Sequence, residues 1–375
     1  MMSQDTPSAS KKTKVAINHD IDPWPVVDKD GYYQSYQRGG RWVNHWHNNK
    51  PSGFRMVAGI ITTKDKSNLN EDKGIESYLP VHLPYWTKKN GAQEDVDISF
   101  GQPGVRATWL GHATVLAEVD EAIILCDPVF SDKRKRYRPS PCTVNQLPEV
   151  LDAVVISHTH YDHLDKQSVI DLNAKYGTKL QWFVPRGSAT LLIKFGIDAK
   201  DIHEMVWWQE TSLNPLNKRT KQAKIIFTPS NHWSGRGIFD ENTALWGSWA
   251  IIGKKGNKFW FGGDTGYSDV FEQIGHKLGP IQLSAIPIGV YEPRDVLKWV
   301  HVNPEEAVQI HNDIKSQKSF GIHWGTFKMG KEFYLEPKSR IEDLVSRKGK
   351  LQDNKTNVLQ FHTISLGRTI ESTSN

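Results

Sequence analysis

Cysteine is scarce: Cys126 and Cys142 are the only two in a chain of 375 residues. That excludes a disulfide framework and makes reducing cytosol, or a surface facing it, the expected setting. Long apolar runs are missing too, and no stretch approaches the roughly 20 residues of a membrane-spanning helix. Residues 1–14 are polar and lysine-rich with no apolar stretch, so no secretory signal is legible. The expected location is therefore intracellular, and any contact with a membrane is peripheral. A net charge of +5 is compatible with phosphate-bearing or anionic partners. No nucleic-acid recognition motif occurs, so nucleic acid is not expected as a partner.

What the chain does hold is aromatic. Fourteen tryptophans imply a heavily aromatic core or surfaces that meet lipid. Residues 1–100 are polar and turn-rich, with scattered aromatics such as Trp24, Trp42 and Trp46. They read as an irregular arm wrapped on the main domain, its first ~15 residues disordered. From residue 105 the texture changes. Short apolar runs recur at 105–110, 114–119, 122–126, 153–156, 180–184, 224–227, 244–252, 258–261, 283–288, 319–322 and 358–364, separated by Gly, Pro and Asp. Helical stretches are predicted at 165–176, 187–196, 268–278, 304–314 and 339–348. Asp165 and Asn303 stand where N-caps belong, and Pro304, Glu305 and Glu306 follow as start signals. This alternation predicts an α/β layered domain over residues 101–370, sheets inside and helices outside.

The chemistry begins at His158-Thr159-His160-Tyr161-Asp162-His163, directly after the apolar run 153–156. Three imidazoles and a carboxylate packed at a strand exit repel or compete for protons unless a cation joins them. Neutral imidazole and carboxylate suit zinc, and also iron or manganese. His158 and His160 point to one side of an extended segment, whereas Asp162 and His163 address a second point nearby. Two adjacent metals are the natural reading. The remaining ligands should stand at other strand ends, and His232, Asp264 and His323 do. His158, His160 and His232 would make one centre. Asp162, His163 and His323 would make the other, with Asp264 bridging. A water or hydroxide between the two metals would be the nucleophile.

Further blocks carry a resemblance. Trp109-Leu110-Gly111-His112, Asp127-Pro128, Leu245-Trp246-Gly247-Ser248-Trp249, Gly263-Asp264-Thr265-Gly266, Tyr291-Glu292-Pro293-Arg294 and His323-Trp324-Gly325-Thr326 follow one another in order. With the metal motif they resemble the phospholipases D that hydrolyse N-acylphosphatidylethanolamine, in the metallo-β-lactamase fold superfamily. The likeness spans residues 105–365, about 70% of the chain. It implies an αβ/βα sandwich of two mixed sheets flanked by helices. It also implies two zinc ions per chain and hydrolysis of a membrane N-acylphosphatidylethanolamine to N-acylethanolamine and phosphatidic acid. By the same resemblance Tyr161 and His301 contact substrate; Asp162, Asp264 and His301 are the expected catalytic residues, His301 reading alternatively as a structural residue at the helix entry. A homodimer is compatible with it. One departure is Val300, where the family commonly carries glutamine, which puts fine headgroup preference in question.

Around this site, Asp127 reads as a residue that orients a metal ligand or as a turn, and His112 and His311 read as structural. The basic segment 131–141 reads as a solvated insertion or as an attraction to anionic headgroups, each cation worth about 1 kcal/mol near a charged surface. The competing functional classes are another binuclear hydrolase of the same fold, such as a lactonase or nuclease, and a silent lipid-binding protein.

Overall fold

The structure, a computed structural model, describes residues 26–46, 63–66, 74–87, 103–132, 135–213, 223–351 and 359–372. In the amino-terminal part, Gln37–Arg38 (β1) and Arg41–Trp42 (β2) form a small hairpin and Ile75–Tyr78 (α1) a helical turn. The first half of the main body then runs Val105–Gly111 (β3), Thr114–Val119 (β4), Ala122–Cys126 (β5), Ala153–Val155 (β6), Lys166–Tyr176 (α2), Gln181–Pro185 (β7), Ala189–Lys194 (α3) and Ile202–Met205 (β8). The second half opens with Glu210–Ser212 (β9), Lys224–Thr228 (β10), Ser248–Ile252 (β11), Lys258–Phe261 (β12), Val270–Leu278 (α4) and Leu283–Pro287 (β13). Arg294–Leu297 (α5), Pro304–Asp313 (α6), Ser319–Ile322 (β14), Glu336–Leu351 (α7), Phe361–His362 (β15) and Thr369–Ser372 (β16) complete it.

Two seven-stranded mixed sheets result, ordered β16-β3-β4-β5-β6-β7-β8 and β15-β14-β13-β12-β11-β10-β9. Each repeats one pattern. Strands β3 to β5 pair antiparallel and β5 to β8 parallel; likewise β10 to β12 pair antiparallel and β12 to β15 parallel. The two halves thus repeat one order of strand pairing, and the sandwich agrees with the fold class expected from the sequence.

Side-chain alternation explains why the layers form. Along β4 to β6, Val115, Ala117, Val119, Ile124, Cys126, Ala153 and Val155 face the core between the sheets. Their neighbours Leu116, Ile123, Leu125, Val154 and Ile156 face a second core containing Val169 and Leu172 of α2. A strand buried on both faces reads as a continuous apolar run, and period 2 divides it between two cores. Eight of the fourteen tryptophans (Trp42, Trp109, Trp182, Trp207, Trp246, Trp249, Trp260 and Trp324) are buried, and none of the described ones is among the exposed large apolar residues. The tryptophan excess builds core, which answers the first of the two readings of it.

The helix signals work as expected. The Asp165 carboxylate accepts from Ser168 N at 3.0 Å at the start of α2, and Asn303 with Glu306 forms a reciprocal capping box on α6. Two predicted elements need correction, and three strands were not expected. The run 244–252 becomes strand only from Ser248, because Leu245 N bonds Arg186 O and Gly247 N bonds Ser157 O outside either ladder. The run 358–364 yields only Phe361–His362, and Val358 lies outside the described residues. The polar edge strands β8, β9 and β16 were not expected, since edge positions need no apolar run.

Of the arm, the first 25 residues lie outside the described part. Where described, it is bonded to the main body: Tyr33 Oη and Trp46 Nε1 both donate to Asp269, at 2.7 and 2.9 Å. Within the basic segment, residues 133 and 134 lie outside the described part. Arg136 is turned inward, 5% exposed at its side chain, donating to Val129 O and stacking on Phe327. Arg138 pairs with Glu76. Two of its cations therefore hold the fold together and do not reach out to lipid.

Candidate metal centre

The loops that leave β5, β6, β10, β12 and β14, with the β3–β4 turn, end at one edge of the sandwich. There the fold brings together all seven donors expected from the sequence, each of them largely buried. His158 Nε2 lies 2.7 Å from His160 Nδ1, which is 3.3 Å from His232 Nε2. In a second cluster, His163 Nε2 lies 3.3 Å from His323 Nε2, and Asp162 Oδ2 is 3.5 and 3.8 Å from those two nitrogens. Asp264 stands between the clusters. Its carboxylate is 3.0 Å from both His163 Nε2 and His323 Nε2, and 3.8 Å from both His158 Nε2 and His232 Nε2. This is the placement a bridging carboxylate needs.

The hydrogen bonds behind the rings decide which nitrogen faces the centre. His163 Nδ1 donates to Asp127 Oδ2 at 2.6 Å. Ser157 donates to Asp127 through its backbone N at 2.7 Å and its hydroxyl at 2.5 Å, so that hydroxyl can only accept from His158 Nδ1 at 2.8 Å. His232 Nδ1 donates to Val300 O at 2.9 Å. The Nε2 atoms of these rings are therefore directed inward, where the lone pairs of His158 and His232 meet His160 Nδ1 with at most one proton to share. Unpartnered lone pairs at such range repel. A tetrahedral zinc site with Zn–N of about 2.0–2.1 Å spaces its ligand nitrogens about 3.3 Å apart, close to what two of these pairs show. The donor set fits divalent metal binding.

Backbone strain supports the same edge. His112, Asp127 and His323 have φ of 51°, 39° and 64°, a region that non-glycine residues seldom occupy and that clusters at functional sites. Gly263 also has positive φ, and a Cβ there would sit 2.5 Å from Ser157 Cβ, so glycine lets the Asp264 turn close onto the motif strand.

Charges divide the cluster. Burial, followed by neighbouring imidazoles, holds His158 well below its ordinary value. His232 is likewise held low by burial, against the pull of Asp264. Burial also lowers His160 and His301 to about 4 and His112 to about 3. Burial opposes ionisation of Asp162 and Asp264 as well, but His163 and its companions hold both well below the usual carboxylate range. In His323 the carboxylates of Asp264 and Asp162 overcome burial and lift the ring to about 9. His163 is raised for the same reason.

Several residues at the site were not singled out from the sequence. His112, read as structural, donates from Nε2 to Asp162 Oδ2 at 2.9 Å and so orients a candidate ligand. The arm's Asn44 donates to His232 O at 2.5 Å. Arg236 Nη1 donates to Thr159 O and Leu164 O at 2.9 and 2.7 Å, and its guanidinium lies 3.9 Å from the Tyr161 ring centroid. It clamps both ends of the motif loop. No local signal marks these three, because each acts across many residues of sequence. Asp127 is the orienting residue of the two alternatives weighed. His311 bonds Ser319 Oγ in the body of the fold, away from the cluster.

Tyr161 is outside the donor cluster, 54% exposed on the rim of a cleft of about 860 Å³. His301 Nδ1 is 4.0 Å from Asp264 Oδ2 and has no hydrogen-bond partner among the described residues. Val300 is buried, and its contribution to the centre is the carbonyl that holds His232. No helix among the described residues is long and apolar enough to cross a membrane.

Comparison with known proteins places this geometry. The model of the "Beta-lactamase superfamily domain" matches residues 123–324. N-acyl-phosphatidylethanolamine-hydrolyzing phospholipase D 1 of Caenorhabditis elegans is 38% identical over 337 residues, covering 86% of this chain and 89% of the relative. The mitochondrial N-acyl-phosphatidylethanolamine-hydrolyzing phospholipase D of Saccharomyces cerevisiae is 34% identical over 247 residues, and the chain spans about half (51%) of that longer protein. Among solved structures, a metallo hydrolase from the archaeon Ignicoccus hospitalis superposes with a TM-score of 0.54 at 20% identity, over 72% of this chain and 99% of that one, a likeness of fold alone.

Proposed function

The chain belongs to the N-acyl-phosphatidylethanolamine-hydrolysing phospholipase D family of the β-lactamase superfamily, a lineage of metal-dependent hydrolases, and on that premise we propose that it cleaves the phosphodiester of N-acylated phosphatidylethanolamine. The products are N-acylethanolamine and phosphatidic acid. The observation that carries the reading is the pair of donor clusters sharing Asp264, built from five imidazoles and two carboxylates. Zinc is the ion this set favours, two per chain. His158, His160 and His232 would hold one, Asp162, His163 and His323 the other. When bound, such a pair supplies charge to the phosphoryl oxygens and an activated water for attack at phosphorus.

The chain's own residues do the rest. Asp127, through His163 and through Ser157 to His158, fixes one ligand in each cluster before any substrate arrives, so no reorganisation is needed during reaction. His112 does the same for Asp162. His301 is held neutral by burial, its Nδ1 beside Asp264 and without a hydrogen-bond partner among the described residues. A neutral imidazole can donate to a phosphoryl oxygen or to the departing ethanolamine oxygen. Tyr161, its ring stacked on Arg236, is placed to contact the lipid at the rim. The enzyme would meet its substrate in a bilayer, as a peripheral protein.

Incubating zinc-loaded protein with vesicles containing N-acylphosphatidylethanolamine, followed by lipid mass spectrometry, tests the reading. N-acylethanolamine and phosphatidic acid are expected from the native chain and not from Asp264→Asn. Turnover of a lactone or nucleic acid, with the lipid untouched, would assign the centre to another reaction of the same fold.

A further inference from the structure

The loop after His232 ends in the sequence Gly235-Arg236-Gly237-Ile238-Phe239-Asp240, and its tip is unusual. Ile238 is 90% exposed and Phe239 85%. Two adjacent large apolar side chains so fully in water form a feature a soluble protein rarely keeps without a partner. The loop backbone is pinned. The Asp240 carboxylate accepts from Arg236 N and Gly237 N, the latter at 2.7 Å. The Arg41 guanidinium grips the tip carbonyls, Nη2 donating to Phe239 O at 2.8 Å and Nη1 to Glu241 O. The fold therefore holds the two side chains out on a fixed support.

The residues around this tip share its character. Gly237 and Asp240 line the cleft beside the metal motif. Helix α3, which lines the cleft through Thr190, Leu191 and Lys194, exposes Ile193 at 48%, and Tyr161 of the lining is 54% exposed. Lys166 and Lys194 line the same cleft; both are exposed and neither makes an ion pair among the described residues. Two acidic groups of the cleft are engaged, Asp165 in capping α2 and Asp240 within the loop, while Glu241 is exposed beside the tip. An apolar tip beside a cleft lined by two exposed lysines complements one kind of surface, a bilayer with anionic headgroups.

We infer that Ile238 and Phe239 form a wedge that enters the interface of an anionic phospholipid bilayer, with Lys166 and Lys194 meeting its headgroups, so that the cleft and Tyr161 face the lipid. This rests on the lipid reading above and adds the surface by which the protein docks. Two signals act together, apolar insertion and charge, as lasting peripheral attachment requires.

The test is co-sedimentation of the full chain with substrate-free vesicles of phosphatidylcholine, alone or mixed with phosphatidylserine. Native protein should bind the mixed vesicles more tightly. Ile238→Ser with Phe239→Ser should weaken binding at least tenfold, while its melting temperature and its hydrolysis of lipid dispersed in detergent micelles stay native. Because both native cysteines are buried, Phe239→Cys carrying an environment-sensitive dye should shift to the blue on the vesicles. Unchanged vesicle binding by the double variant, or a dye that stays in water, overturns the wedge. So does a native chain that self-associates through this tip, seen as a halved mass in the double variant with vesicle binding retained. The two readings fail separately. Vesicle binding lost on substitution in a protein without phospholipase activity sinks the reaction alone. Native hydrolysis of vesicle lipid by the double variant sinks the docking surface alone.

Discussion

Asp127→Asn isolates the support behind the ligands from the ligands themselves. Asparagine has the same shape and, like aspartate, tolerates the positive φ of 39° at this position. What changes is the hydrogen bonding. Asp127 accepts from His163 Nδ1, Ser157 N and Ser157 Oγ, and Ser157 Oγ in turn accepts from His158 Nδ1. An amide can keep Oδ1 toward the Ser157 backbone only by presenting Nδ2–H₂ to His163 Nδ1–H, donor against donor. The conflict is relieved when His163 moves its proton to Nε2, the nitrogen facing His323 and Asp264, and a protonated nitrogen is no ligand. Loss of such a partner lowers metal affinity about 10–100-fold, or about 1.4–2.7 kcal/mol. Competition titration of the metal-free protein with zinc against a chromogenic chelator measures it. The expectation is that the site His163 helps to hold weakens by that factor, and the site of His158 by no more, with circular dichroism unchanged. Two sites of native affinity in the variant would refute the claim that Asp127 sets the tautomer of His163.

Three further outcomes follow from other parts of the structure. Arg236→Met removes the donor shared by the carbonyls of Thr159 and Leu164, both buried; at about 1–3 kcal/mol per orphaned carbonyl, calorimetry should show about 2–6 kcal/mol of lost stability, and an unchanged melting temperature would count against the clamp. In the metal-free protein His323 is raised to about 9 and His163 is raised as well, so each holds a proton that an incoming cation must displace. Zinc affinity should rise with pH towards about 9, with protons released on titration in weakly buffered solution; a flat profile between pH 7 and 9 would contradict it. Because the folded value is raised, the His323 contribution to metal-free stability is complete below its ordinary value of 6.5 and is lost as pH rises through about 9. Asn303→Ala breaks the capping box and should cost α6 about 1 kcal/mol in chemical denaturation. It also frees Glu306, which pairs with the Arg294 that donates to His301 O at 2.7 Å, so turnover should fall with stability.

Local signals carried most of the design. The motif at 158–163 and the placement of His232, Asp264 and His323 could be read because each follows the carboxyl end of an apolar strand, and those ends meet at one edge of the sandwich. The start of α2 at Asp165 and of α6 at Asn303 was legible because capping is local chemistry. The misses share a cause as well. His112, Asn44 and Arg236 act on residues 50, 188 and 77 or 72 positions away, distances over which one sequence holds no pairing information. The exposure of Ile238 and Phe239 was hidden because two apolar residues in a turn look the same whether the fold covers them or displays them. The edge strands β8, β9 and β16 are polar since solvent takes one side of them.

Attack of water at phosphorus, with release of the ethanolamine oxygen intact, is the central claim. Hydrolysis of N-acylphosphatidylethanolamine in water enriched in oxygen-18 tests it in one mass-spectrometric measurement. A single heavy oxygen in phosphatidic acid and none in N-acylethanolamine is the predicted result. Label in the N-acylethanolamine, or in a released fatty acid, would place the attack at carbon and contradict the account.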